Sequence, residues 1–173
     1  MVHIYTDGAC RGNPGPGGYG VVVLDGDIVR HKFCEESEEE TTNNREEMKA
    51  IIHAFEWAEA RVKPEETVII YSDSAYCVNM INDWIWNWAK NGWKNSKKKE
   101  VENIDLVKEI YKYVSKEFFN CQVVKVKGHA GDAGNELADA LATNDERKYN
   151  KILTTEGLEE DLVDILKPVV EKE

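Results

Sequence analysis

Apolar positions cluster in short β-branched runs over the first third of the chain and recur at helical spacing after it. VHIYTD (2–7), YGVVVL (19–24) and IVRHKFC (28–34) read as three strands, the last two forming a hairpin across Asp25-Gly26-Asp27. The Gly/Pro cluster 8–18 between the first two predicts a break in regular structure. The EESEEE run at 35–40 predicts a solvated loop after the hairpin. From Asn43, the apolar positions Met48, Ile51, Ile52, Phe55, Ala58 and Val62 follow a helical period until Lys63-Pro64 ends it. Asn43 is the expected N-cap, with Glu46 completing a capping box.

TVIIYSD (67–73) then predicts a buried strand, and a helix follows through Cys77, Val78 and Ile81. Ile104, Val107, Ile110, Tyr111 and Val114 make an amphipathic helix, 122–126 a strand and 135–142 a helix. A last helix is expected over 155–167, capped by Thr155, with Leu158, Leu162, Ile165 and Leu166 on one side. A hairpin plus strands alternating with helices predicts an α/β protein with a mixed sheet and helices on its faces.

A length of 173 residues with 42% hydrophobic content fits one globular domain and excludes a disordered chain. No run approaches the roughly 18–20 apolar residues of a membrane span, and MVHIYTDG lacks the pattern of a signal peptide. The four cysteines, at 10, 34, 77 and 121, show no metal or redox spacing, which fits reduced thiols in or near the core and a cytoplasmic setting. The net charge of −11 argues at first sight against a nucleic-acid partner. The distribution changes that view. Residues 35–40 hold five glutamates and 151–173 hold seven acidic against three basic residues, whereas 90–100 hold five lysines and one glutamate. A basic island interrupts an acidic chain.

Three acids stand where solvated charge is not expected. Asp7 and Asp73 each lie at or just past the end of an apolar strand, where an α/β sheet gathers ligands. On the helix from Asn43, Glu47 falls roughly 70° from the centre of the apolar face, at about 100° per residue. Glu46 falls near the opposite side and reads as an ordinary solvated glutamate. Asp139 follows Leu137 and Ala138 on the 135–142 helix. Four inward-looking carboxylates would repel one another unless a cation neutralised them, and an all-oxygen set suits Mg²⁺ or Mn²⁺ rather than zinc. His129, in the glycine-rich KGHAGDAG stretch, has the intrinsic pKa of a proton shuttle if its loop reaches such a site.

YTDGACRGNPGPGGYG (5–20), TTNNREEMKAI (41–51), YSDSAYCVN (71–79), NWAKNGWK (87–94) and VKGHAGDAGNELADALA (126–142) resemble, in order, the signature blocks of the type 1 ribonucleases H. The resemblance covers residues 2 to about 145. It implies a ribonuclease H-like fold: a mixed five-stranded sheet, three antiparallel then parallel strands, helices on both faces, and a helical C-terminal extension. A catalytic domain over 1–148 and an acidic extension over 149–173 are expected. The implied activity is divalent-metal-dependent endonucleolytic cleavage of the RNA strand of RNA–DNA hybrids, leaving 5′-phosphate and 3′-hydroxyl ends. Asp7, Glu47, Asp73 and Asp139 would be the metal-binding carboxylates of two Mg²⁺ (or Mn²⁺) ions, and His129 the catalytic loop histidine.

Asp7 would bridge both ions, Glu47 and Asp73 would hold the leaving-group ion, and Asp139 the nucleophile-side ion. Gly8, Gly12 and Gly15 would let a nucleic-acid strand approach. By resemblance, Cys10, Asn13 and Asn43 would contact the hybrid and Thr42 a DNA-strand phosphate. The island with Trp84, Trp88, Lys90, Trp93, Lys94, Lys97, Lys98 and Lys99 looks like the family's basic protrusion. Its lysines would bind phosphates, and its rings would either contact sugars or pack the protrusion. Ala75 departs from the family's frequent glutamine, which removes one expected RNA contact. A separate N-terminal hybrid-binding module, and processivity from one, are not expected, and the chain is expected to act as a monomer. The rivals are another nuclease or strand transferase of the same fold, and a non-catalytic hybrid-binding module.

Overall fold

Val21 and Val23 of strand β2 (Gly15–Asp25) are buried on one face of the sheet, and Val22 and Leu24 on the other. That alternation requires cover on both faces, which the helices supply. The computed structural model describes residues 1–116, 120–126 and 132–162, excepting the side chain of Glu38. Its other strands are β1 (Val2–Cys10), β3 (Ile28–Thr41), β4 (Val68–Ser72), β5 (Cys121–Lys125) and β6 (Glu159–Glu160). They form one sheet in the order β5-β4-β1-β2-β3-β6. The pairs β1–β2 and β2–β3 are antiparallel, and β1–β4, β4–β5 and β3–β6 parallel.

The helices are α1 (Asn43–Arg61), α2 (Ala75–Asn79), α3 (Ile85–Lys90), α4 (Ile104–Val114), α5 (Ala133–Ala142) and α6 (Glu146–Glu156). A π-helical turn, Met80–Trp84, joins α2 to α3. On one face, Ile51 and Phe55 of α1 and Val107 and Ile110 of α4 pack with Ile4, Val21 and Ile70 of the sheet. On the other, Leu137 and Ala138 of α5 and Tyr149 and Ile152 of α6 pack with Val22, Leu24 and Val29. Each fully buried aliphatic or aromatic side chain contributes about 1.5–3 kcal/mol to this arrangement. No helix among the described residues is long and apolar enough to cross a membrane. All four cysteines are free, with Cys77 buried and Cys34 exposed rather than near the core.

Several boundaries differ from the sequence reading. Strands β1 and β2 run into the Gly/Pro cluster and leave only residues 11–14 between them, tied by the Arg11 amide donating to the Pro16 carbonyl at 2.8 Å. Residues 35–40 are strand rather than loop, because Tyr19, Gly18 and Gly17 pair with Glu35, Glu36 and Ser37. The cap of α1 is Thr42, not Asn43: its hydroxyl accepts from the Arg45 amide at 3.2 Å.

The C-terminal region departs most. A helix not expected from the sequence, α6, begins at Asp145, whose carboxylate caps the Lys148 amide, and ends at Gly157 with φ +66°. Residues 157–162 form no helix; Glu159 and Glu160 add a sixth strand beside Ile28 and Val29. The rest of the expected 155–167 helix lies outside the described residues.

Candidate active site

Strand β4 stops pairing with β1 at Tyr5–Tyr71, while β1 continues for five more residues beside β2. A cleft opens there between β1 and the end of β4. Asp7 lies inside β1 rather than at its end, and Asp73 is the first residue beyond β4. Both flank the cleft.

Two glycines bring helices to the two faces of this part of β1. A Cβ on Gly8 would lie 2.5 Å from the Glu46 carbonyl carbon and would collide with the Glu47 amide. The start of α1 therefore rests directly on β1, and this delivers Glu47. Gly20 is the cross-strand partner of Asp7, and a Cβ there would lie 2.5 Å from the Ala138 carbonyl oxygen. The same close approach seats α5 and delivers Asp139.

Ligand oxygens of Asp7, Glu47 and Asp73 lie within 4.8 Å of one another. Asp7 and Glu47 are buried, the charge of Asp7 raises the cost of ionising Glu47, and Oε2 of Glu47 is buried with no hydrogen-bond partner among the described residues. Asp139 acts electrostatically on Asp7 but stands outside the tight triad, and its side chain is 43% exposed. Burial first, then the charge of Asp73, pushes the Asp7 carboxyl far above the ordinary carboxylate range; burial and the charges of Asp7 and Asp73 do the same to Glu47. An orphaned buried oxygen in a packed all-oxygen cluster is what a hard divalent cation satisfies, so the residues fit the metal that the sequence reading implied.

The raised values carry a sign. A carboxyl whose folded pKa exceeds its unfolded value favours folding below the unfolded pKa and loses that contribution as pH rises through the folded value. Asp7→Asn therefore raises the melting temperature of the metal-free protein, and does so more at pH 8 than at pH 5. For a chain of this size each 1 kcal/mol corresponds to about 2–4 °C. Thermal scans in chelator at the two pH values measure this, and equal shifts at both would refute the electrostatic assignment.

Glu46 is 1% exposed, not solvated: Thr41 Oγ1 donates to its Oε2 at 2.9 Å, and Lys49 Nζ lies 2.9 Å from the same oxygen. The helical wheel missed it because Gly17 of the extended hairpin covers the first turn of α1 from outside the core face. Gly8 and Gly15 admit the protein's own backbone rather than a ligand, whereas Gly12 holds φ +83°. Cys10 Sγ donates to the Thr41 carbonyl at 3.2 Å, tying the end of β1 to the end of β3, and Asn13 Oδ1 accepts from the Asn43 amide at 2.9 Å, tying the 11–14 loop to the start of α1.

Trp84, Trp88 and Trp93 are half-buried and pack on the core, with Trp84 5.3 Å from Tyr76 and Trp93 5.4 Å from Tyr111. Lys90, Lys94, Lys97, Lys98 and Lys99 are exposed. Ala75 is exposed at the first position of α2. His129 lies outside the described residues.

The RNase H family model matches residues 1–147. The chain belongs to the ribonuclease H family. It is 45% identical over 152 residues to ribonuclease H of Alcanivorax borkumensis, covering 87% of this chain and 95% of that one. Ribonuclease H of Syntrophomonas wolfei is 48% identical over 143 residues, or 82% and 92% of the two chains. Among solved structures, LC9-RNase H1, a type 1 RNase H with the type 2 active-site motif, superposes with a TM-score of 0.71 at 26% identity, covering 92% of this chain and 86% of that one. LC11-RNase H1 in complex with an RNA/DNA hybrid gives 0.65 at 27% identity, covering 83% and 95%. Ribonucleases H are hydrolases that cleave the RNA strand of RNA–DNA hybrids, and membership makes this chain a nuclease of that kind. Use of a divalent metal follows from the family, and the buried acidic cluster is where such an ion would sit.

Proposed function

We propose that the chain hydrolyses the RNA strand of hybrids endonucleolytically at the cleft between β1 and β4, with two Mg²⁺ ions, Mn²⁺ substituting, held by Asp7, Glu47, Asp73 and Asp139. The observation that carries this reading is the convergence of three carboxylates within 4.8 Å around an unpartnered Glu47 oxygen. Asp7 lies between the helices that deliver Glu47 and Asp139 and feels both carboxyls, which supports its role as the carboxylate shared between the ions. Glu47 and Asp73 then serve the leaving-group side and Asp139 the nucleophile side. When bound, the ions supply an activated water and charge neutralisation of the leaving 3′-oxygen. His129 assists proton transfer or product release, so its loss slows turnover.

Thr42 and Asn43 at the start of α1, with Cys10 and Asn13 beside them, form the face that meets the hybrid, where 2′-hydroxyls mark the RNA strand. The lysines of the protrusion hold backbone phosphates, and the half-buried Trp84, Trp88 and Trp93 brace them while offering ring edges. The chain acts as a monomer in the cytoplasm.

Cleavage of a labelled hybrid in Mg²⁺, with duplex RNA and duplex DNA alongside, tests the proposal: the hybrid alone is cut, and equal cutting of either duplex would overturn it. In the same assay, replacing Lys97, Lys98 and Lys99 together by Gln raises KM and flattens its dependence on salt. Each lost phosphate contact lowers the log–log slope by about 0.9. An unchanged slope would remove the protrusion from the binding surface.

A further inference from the structure

Lys148 lies one residue beyond the stretch matched by the family model and on the first turn of α6, the helix that the sequence reading did not find. Its position is fixed at several points. The Asp145 carboxylate accepts the Lys148 amide at 3.0 Å, and the Asp145 amide donates to the Ala140 carbonyl of α5 at 2.8 Å. The next residue, Tyr149, is buried, and its hydroxyl donates to Glu160 at 2.8 Å. So anchored, Lys148 carries its ammonium to 2.5 Å from Oδ2 of Asp139. Asp139 is the carboxylate that α5 delivers beside Asp7. Among the described residues, Glu136 and Asp145 also act on Lys148, and both are acidic.

We infer that Lys148 is a built-in competitor for the divalent ion at Asp139, so that the Asp139 half of the site binds its ion more weakly than the Asp7–Glu47–Asp73 half. This rests on the reading of Asp139 as a metal ligand. A divalent ion reaching Asp139 must displace the ammonium, and whatever distance the flexible lysine stem then retreats, its positive charge stays near the ion. At the other half, Asp7, Glu47 and Asp73 make no ion pair with a lysine or arginine among the described residues. Both partners are about two-fifths exposed, so the pair is partly screened by water and its effect is moderate.

The test is Mn²⁺ binding to the full chain by calorimetry, without substrate, in the wild type and in Lys148→Gln, Lys148→Ala, Lys148→Arg and Asp139→Asn. Two binding steps of unequal strength are expected. Removing the charge strengthens only the weaker step, by about three- to tenfold, in line with losing a half-exposed ion pair and a nearby like charge. Lys148→Arg keeps the wild-type pattern, because it restores the charge. Asp139→Asn abolishes the weaker step.

If both neutral variants bind as the wild type does, or strengthen both steps equally, Lys148 does not compete and the inference fails. If instead Asp139→Asn retains two steps, the assignment of Asp139 as a ligand fails first. The two neutral variants guard against a local folding defect at one of them, Ala being the strongest helix former for this position. A second step seen only when the charge is removed would count as the expected result in its extreme form.

Discussion

Asp7→Asn cuts the rate of RNA-strand cleavage by about 10³-fold or more, matching the several kcal/mol that bound divalent ions supply to a phosphoryl transition state. Asp7 sits where α1 delivers Glu47 and α5 delivers Asp139, and both act on its carboxyl. Asparagine keeps its shape and removes the charge on which any shared ion depends. Single-turnover cleavage of a labelled hybrid at saturating Mg²⁺ gives the rate, and near-wild-type cleavage would overturn the proposed mechanism. The expected rise in metal-free melting temperature separates this loss from unfolding: a variant that is more stable and inactive has lost chemistry, not structure.

Gly8→Ala has the second largest effect, and it acts through geometry. The added methyl meets the backbone of α1 at Glu46 and Glu47, not the flexible end of a side chain, so the helix itself must move. Overpacking against rigid backbone costs about 1–3 kcal/mol of stability. A shift of about 1 Å in Glu47 lowers kcat by about 10²-fold. Both changes are expected together. Denaturant unfolding and steady-state kinetics measure them; a stable variant with normal kcat would show that α1 does not owe its position to this contact.

These two residues also show where the sequence was informative. Asp7, Glu47 and Asp73 stood out because each breaks a pattern: a charge at a strand end, or on the margin of an apolar helical face; Asp139, read alone, is an ordinary helix-surface acid, and its role came from the family resemblance. The pairing of β1 with β4 and the close seating of α1 and α5 then bring those breaks together. Gly8 was less legible. Its sequence context, a glycine-rich turn, suggests approach of a ligand, and only the three-dimensional packing reveals that the protein's own helix fills the space.

Glu46 failed for a related reason. A helical wheel measures the angle to one core face, whereas the first turn of α1 is covered from a second direction by the hairpin and neutralised by Thr41 and Lys49. Residues 35–40 failed because local composition outweighed the pairing that the partner strand offers. Helix α6 has few apolar positions beyond Tyr149 and Ile152, so its period is faint; its start is set by the Asp145 cap and its end by Gly157. Lys148 carried no signal in one dimension, since a lysine on a polar helix is usual.

The outer side of β3 has a further consequence for how copies of the protein meet. Strand β6 covers that side only at Ile28 and Val29. Beyond it, among the described residues, the strand offers unpaired backbone groups of the kind that invite sheet-to-sheet association. That stretch is also where Glu35, Glu36, Glu39 and Glu40 stand. A second molecule attempting to add its own β3 there would set glutamate against glutamate, and like charges facing each other across a strand pair are destabilising. Part of the net charge of −11 thus stands along a strand edge, where like charge disfavours pairing with another edge.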